Sequence, residues 1–105
     1  MALAINESNF NELVTNSDKL LVLDFWAEWC GPCRTISLVI DELAKEYEGR
    51  AIIGKVDVDS NVAITEKYGI RNVPTLIFIK NGKIMDKTVG AIPKSLLVAK
   101  IEELL

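Results

Sequence analysis

From Leu20 to Trp26 the chain is apolar at every position except Asp24. A run without alternation fits a strand buried on both faces, as in a parallel sheet. Downstream the period changes. Ile36, Val39, Ile40, Leu43, Ala44 and Tyr47 recur at i, i+3, i+4 spacing until Gly49, and predict a long helix from Pro32 to Glu48. Ahead of the first strand, Phe10, Leu13 and Val14 predict a short helix over residues 8–16, with Ser8 as its N-cap. Ala51–Val58 reads as the next strand, and Asn61–Tyr68 as a short helix closed by Gly69. Thr75–Ile79 is β-branched and aromatic, hence a strand. Asn81-Gly82 is a strong hairpin signal, so Lys83–Val89 returns antiparallel. Leu96, Leu97, Ile101, Leu104 and Leu105 mark a last helix opened by Pro93, a favoured first-turn residue. The order implies an α/β fold: a mixed central sheet, parallel in its first half and antiparallel at the end, with helices on both faces.

The 105 residues are expected to form a single domain over 1–105, large enough to bury a core. A formal net charge of -3 disfavours non-specific nucleic-acid binding. No apolar run approaches the ~20 residues of a membrane span. The opening Met1–Glu7 has no basic start and too little apolar length for a secretory signal, so the expected location is the cytoplasm. The absence of histidine narrows the chemistry much further. It removes every Ser-His-Asp or Cys-His pair and every zinc site with imidazole ligands. Proton transfer near neutral pH falls to a carboxylate, a lysine or a thiol.

The two cysteines, Cys30 and Cys33, enclose Gly31-Pro32 where a strand meets the long helix. A structural disulfide is one reading, but a loop this short gains only about 2 kcal/mol in the chain-entropy model. Metal binding is a second, and no further ligands accompany the pair. A redox pair is the favoured third. A helix opening at Cys30 points backbone N–H groups and the positive end of its dipole at that sulfur, which stabilises a thiolate and lowers the thiol pKa. Cys33 lies one turn further on, within reach of a disulfide and shielded by the turn. Pro32 suits a first turn, where its missing N–H is harmless.

Phe25-Trp26-Ala27-Glu28-Trp29-Cys30-Gly31-Pro32-Cys33 resembles the active-site segment of the thioredoxin family. The resemblance extends over nearly the whole chain. Asp24 stands where the family has a buried aspartate, and Lys55 where it has the lysine near that aspartate. Val73-Pro74-Thr75 matches the segment carrying the family's cis-proline, and Val89-Gly90-Ala91 its substrate-facing loop. Leu38 departs from the family's helix proline, so the long helix is expected to run on without that kink. Asn72 replaces a common glycine, Arg34 a usual lysine, and Pro93 a capping Ser or Thr.

The resemblance implies a thioredoxin fold and a protein-disulfide reductase with no bound cofactor and no metal, acting as a monomer. Cys30 would be the nucleophile, Cys33 the resolving thiol and Asp24 the proton acceptor, with Lys55 facing Asp24 and tuning it. Burial is expected to raise the Asp24 pKa and Lys55 to oppose part of the rise. Trp29, Gly31, Pro32, Ile70, Val73, Pro74, Gly90 and Ala91 would form the apolar patch that receives substrates, while Trp26 packs in the core. Glu28, Asp57 and Asp59 read as solvated charges or turn residues. The implied partners are disulfide-containing proteins and an NADPH- and flavin-dependent thioredoxin reductase as electron donor. The alternative is a non-catalytic binding subunit on the same fold, docking partners around Trp29 and Pro74.

Overall fold

The strand read from the Leu20–Trp26 run is the centre of the sheet. The structure, a computed structural model, describes residues 2–15 and 18–105. In chain order the elements are β1 (Leu3–Ala4), α1 (Phe10–Thr15), β2 (Leu20–Trp26), α2 (Gly31–Glu46), β3 (Ala51–Asp57), α3 (Val62–Lys67), β4 (Thr75–Lys80), β5 (Lys83–Val89) and α4 (Lys94–Leu104). The strands lie in the order β1-β3-β2-β4-β5. β1 and β2 run parallel to β3, whereas β4 is antiparallel to β2 and to β5. This is the mixed sheet that the element order predicts.

Alternate residues of β2 and β4 feed two cores. Leu20, Val22, Leu76 and Phe78 pack with Ile36, Ile40 and Leu43 of α2 and with Leu97 and Ile101 of α4. Leu21, Leu23, Phe25, Ile77 and Ile79 pack on the opposite face with Phe10 and Ile64. β2 is therefore covered on both sides, which is why its sequence does not alternate. Asn81 and Gly82 both take positive φ, 53° and 77°, as the two-residue turn between β4 and β5 requires. α2 passes through Leu38 unbroken, with that side chain on the exposed face.

Three local expectations change. β1 has no counterpart in the hydrophobic pattern. It pairs Leu3 with Gly54 and Ala4 with Lys55. A Cβ on Gly54 would run into the Ile5 side chain and lie 2.8 Å from the Leu3 carbonyl oxygen. The glycine inside β3 is thus what lets the N-terminal segment approach. Ser8 does not cap α1. Asn6 Oδ1 accepts from the Ser8 and Asn9 amides at 2.8 and 3.1 Å, while Asn9 Oδ1 accepts from the Asn6 amide at 2.8 Å. That reciprocal pair satisfies the donors a cap must satisfy, and it needs a side chain two residues before Ser8. The expected end of this helix at residue 16 lies outside the described residues. Pro93 is the N-cap of α4 and not its first helical residue. Its ψ of 147° is extended, and its carbonyl accepts from the Leu96 and Leu97 amides.

Candidate active site

β2, the central strand, ends at Trp26, and the chain crosses to α2 in four residues, Ala27–Cys30. The crossing is fixed by the Cys30 amide, which donates to the Ala27 carbonyl at 3.1 Å. Cys30 is the N-cap of α2, with Gly31, Pro32 and Cys33 as its first turn. The Cys33 amide donates to Cys30 Sγ at 3.2 Å. A helix-terminal N–H aimed at a sulfur stabilises negative charge on it. The two cysteines form a disulfide, with Cα atoms 5.4 Å apart. Both sulfurs sit in a small apolar cluster with Ala27, walled by Trp26, Val58 and Val73. Cys33 is the more enclosed, at 2% exposure against 5% for Cys30.

The surface around the pair comes from three loops. Trp29 is 70% exposed, and Gly31 and Pro32 are exposed beside it. The Val73–Pro74 peptide is cis, and the Val73 carbonyl oxygen lies 3.6 Å from Cys30 Sγ. The Gly90 amide donates to the Pro74 carbonyl at 2.8 Å, which fixes Gly90 and Ala91 against the cis-proline loop. Val73 and Gly90 are half-buried, Pro74 is buried and Ala91 is exposed. Ile70 departs from the expected patch in part. It is half-buried and packs toward the core between the sheet, α1 and α3. Trp26 is half-buried against the cysteine cluster and is not a fully enclosed core residue.

Asp24 is fully buried on the α2 face of the sheet, and neither carboxyl oxygen has a hydrogen-bond partner. Its neighbours in register are Lys55 on β3 and Leu76 on β4. Burial pushes its pKa up to about 7, against the Lys55 charge, which lowers it, and with the Asp41 charge, which adds to the rise. Lys55 faces Asp24 in register and its charge opposes part of the rise, as expected, while its ammonium is bonded to two other side chains. The Lys55 ammonium lies 2.9 Å from Asp41 Oδ1 and 2.5 Å from Ser37 Oγ. The Lys55 stem carries its ammonium to Asp41, a partly solvated carboxylate, and it makes no hydrogen bond to Asp24. Burial tends to raise the Asp41 pKa, but the Ala2 amide and the Lys55 ammonium more than offset this and hold it below its ordinary value.

Two residues of this region were not singled out from the sequence, Ser37 and Asp41, and Asp59 was read only as a solvated charge or turn residue. Ser37 and Asp41 follow Cys33 at steps of four along α2, the spacing that puts side chains on one helix face. That spacing was a signal available in the sequence. Asp59 Oδ2 accepts from the Trp29 indole N–H at 3.1 Å, across 30 residues of chain, so this acidic residue orients the exposed ring. Glu28 and Asp57 behave as read: Glu28 is exposed, and Asp57 Oδ1 accepts from the Asp59 amide in the turn after β3. Among the described residues no group of three or more cysteine or acidic side chains is placed to hold a metal ion. Among the described residues no helix is long and apolar enough to cross a membrane.

Comparison with known proteins agrees with this geometry. The family model described as Thioredoxin matches residues 1–103. The thioredoxin of Chlorobaculum thiosulfatiphilum is 50% identical over 97 residues, covering 92% of this chain and 90% of that protein. The thioredoxin of Haemophilus influenzae is 48% identical over 101 residues, covering 96% and 94%. Among solved structures, the thioredoxin of Malassezia sympodialis is similar with a TM-score of 0.88 at 37% identity, covering 98% of this chain and 90% of that one.

Proposed function

Given that the chain belongs to the thioredoxin family, a family of thiol–disulfide oxidoreductases, we propose how its residues divide the work of a protein-disulfide reductase. The reduced Cys30 thiolate attacks one sulfur of a substrate disulfide. A Cys30–substrate bond forms and the first substrate thiolate leaves. Cys33 gives its proton to Asp24, and its thiolate attacks Cys30 Sγ. The Cys30–Cys33 disulfide closes and the second substrate thiolate leaves, so two electrons have passed to the substrate. The observation that carries this reading is the Cys33 amide on Cys30 Sγ at the start of α2, beside the exposed Trp29.

The substrate surface comprises Trp29, Gly31, Pro32, Val73, Pro74, Gly90 and Ala91, with Ile70 supporting it from beneath. An extended substrate segment lies against the Val73 backbone, a mode in which main-chain groups supply affinity. A thioredoxin reductase drawing on NADPH through a flavin returns the pair to the dithiol. Such a cycle belongs in a compartment that keeps thiols reduced, for which the cytoplasm is the proposed place.

An insulin-reduction assay with dithiothreitol tests the reading. Catalytic amounts of the protein shorten the lag before the freed insulin chain precipitates. No acceleration, with partner binding retained at the Trp29 surface, favours the binding subunit instead.

A further inference from the structure

Lys55 and Asp24 are register neighbours on parallel strands, and paired positions of a sheet share a face. Asp24 nevertheless has no hydrogen-bond partner, while the Lys55 ammonium is held by two α2 side chains, Asp41 Oδ1 at 2.9 Å and Ser37 Oγ at 2.5 Å. Asp41 Oδ1 is tied in turn to the N-terminal segment by the Ala2 amide at 2.9 Å. Ser37 also lines two spaces, one of about 140 Å³ shared with Cys33, Trp26 and Arg34, and one of about 400 Å³ shared with Lys55, Asp57 and Trp26.

We propose that Ser37 and Asp41 are positioning residues for the resolving step: they hold the Lys55 ammonium off Asp24, so that this carboxyl remains able to take and return the Cys33 proton near neutral pH. The proposal rests on Asp24 being the acceptor. An ammonium in direct contact would hold Asp24 ionised well below neutrality, because an opposite charge within about 4–6 Å lowers a carboxyl pKa by about 1–3 units. A carboxylate held at a low pKa is a weak base toward the Cys33 thiol and holds an accepted proton poorly at pH 7. The charges acting on Asp24 are Lys55 from β3 and Asp41 from α2. The α2 helix also brings the Cys33 thiol. β4 offers Leu76, and α4 offers Leu97 and Ile101 on that side of the sheet, none of which titrates. Asp57 lies two positions beyond Lys55 on β3, in register with Trp26.

The test is a carboxyl-carbon NMR titration of Asp24 in the oxidised protein, run on wild type, Asp41→Asn, Ser37→Ala, Lys55→Met and Asp41→Asn/Lys55→Met. Asparagine keeps an acceptor for the Ala2 amide, so the N-terminal segment stays docked. The Asp41→Asn midpoint should fall by about one pH unit and the Ser37→Ala midpoint by a smaller amount in the same direction. Against the Lys55→Met background, Asp41→Asn should shift it less than half as far, because only the direct effect of the Asp41 charge is left. Equal shifts in the two backgrounds, no shift, or an upward shift overturns the proposal. A parallel pH profile of mixed-disulfide release for wild type and Asp24→Asn separates the two levels. An unchanged profile in Asp24→Asn refutes Asp24 as the acceptor, and with it the catalytic purpose given to Ser37 and Asp41. A flattened profile, with no Lys55-dependent shift in the titration, refutes the positioning role alone.

Discussion

Replacing Asp24 with asparagine makes a stability difference that grows with pH in a known direction. The native carboxyl titrates near 7, and an unfolded aspartate near 4. Below about pH 4 both states are protonated and burial of the group carries no ionisation cost. Between about 4 and 7 the unfolded chain loses its proton while the native state keeps it. Stability then falls by about 1.4 kcal/mol per pH unit. Above about 7 both states are charged and the decline stops. The interval amounts to about 4 kcal/mol of stability present at pH 4 and lost by pH 8. Asparagine has nearly the same shape and cannot ionise. Its unpartnered amide adds an offset, but one that does not change with pH. The difference Asp24→Asn minus wild type should therefore rise by about 4 kcal/mol across this window. Urea unfolding of the disulfide form, at half-unit steps of pH, measures it without thiol titration. The Lys55–Asp41 pair is present in both proteins and largely cancels. A difference that stays level within about 1 kcal/mol, or that narrows as pH rises, would refute the reasoning.

Two further substitutions probe the packing of β1 and the partner surface. Gly54→Ala forces a Cβ against Ile5 and the Leu3 carbonyl. It should cost about 1–3 kcal/mol in urea unfolding and speed amide exchange at Ile5, whose amide bonds the Lys55 carbonyl; a loss under about 0.5 kcal/mol counts against the close approach. Asp59→Ala removes the acceptor of the Trp29 indole. It should raise KM for disulfide substrates about two- to fivefold with kcat nearly unchanged, and Asp59→Asn should restore most of the loss; a fall confined to kcat contradicts an orienting role.

Much of the fold was legible because burial leaves direct marks on sequence. β2 is covered on both faces, so Leu20–Trp26 is a continuous apolar run, and its bounds match the structure. The α2 stripe and the Asn81-Gly82 turn are legible for similar reasons. Asp24 stood out as one carboxylate in that run, and its raised pKa follows from the same burial. The two-residue β1 is too short for any period to register. Its trace is Gly54, which reads as a weak strand residue until Ile5 is seen against it. The Lys55 contacts with Asp41 and Ser37 were not legible for a different reason. Strand register brought Lys55 beside Asp24, but a flexible side chain chooses among partners by their charge and hydration. Asp41, on a neighbouring element, offered an ionised carboxylate at lower desolvation cost. Contacts such as Trp29 to Asp59 depend on where loops meet, which no local pattern encodes.

The division of labour between the two cysteines is the centre of the account, and trapping tests it most directly. Reduced Cys33→Ser and Cys30→Ser proteins are each mixed with a peptide disulfide, and the adducts are mapped by mass spectrometry. Cys33→Ser should accumulate a mixed disulfide on Cys30, since the attacking sulfur is intact and the resolving thiol is gone. Cys30→Ser should form almost none, because Cys33 is enclosed at 2% exposure and the helix-terminal amide serves the other sulfur. A stable adduct on Cys33 with none on Cys30 would reverse the roles and contradict the mechanism.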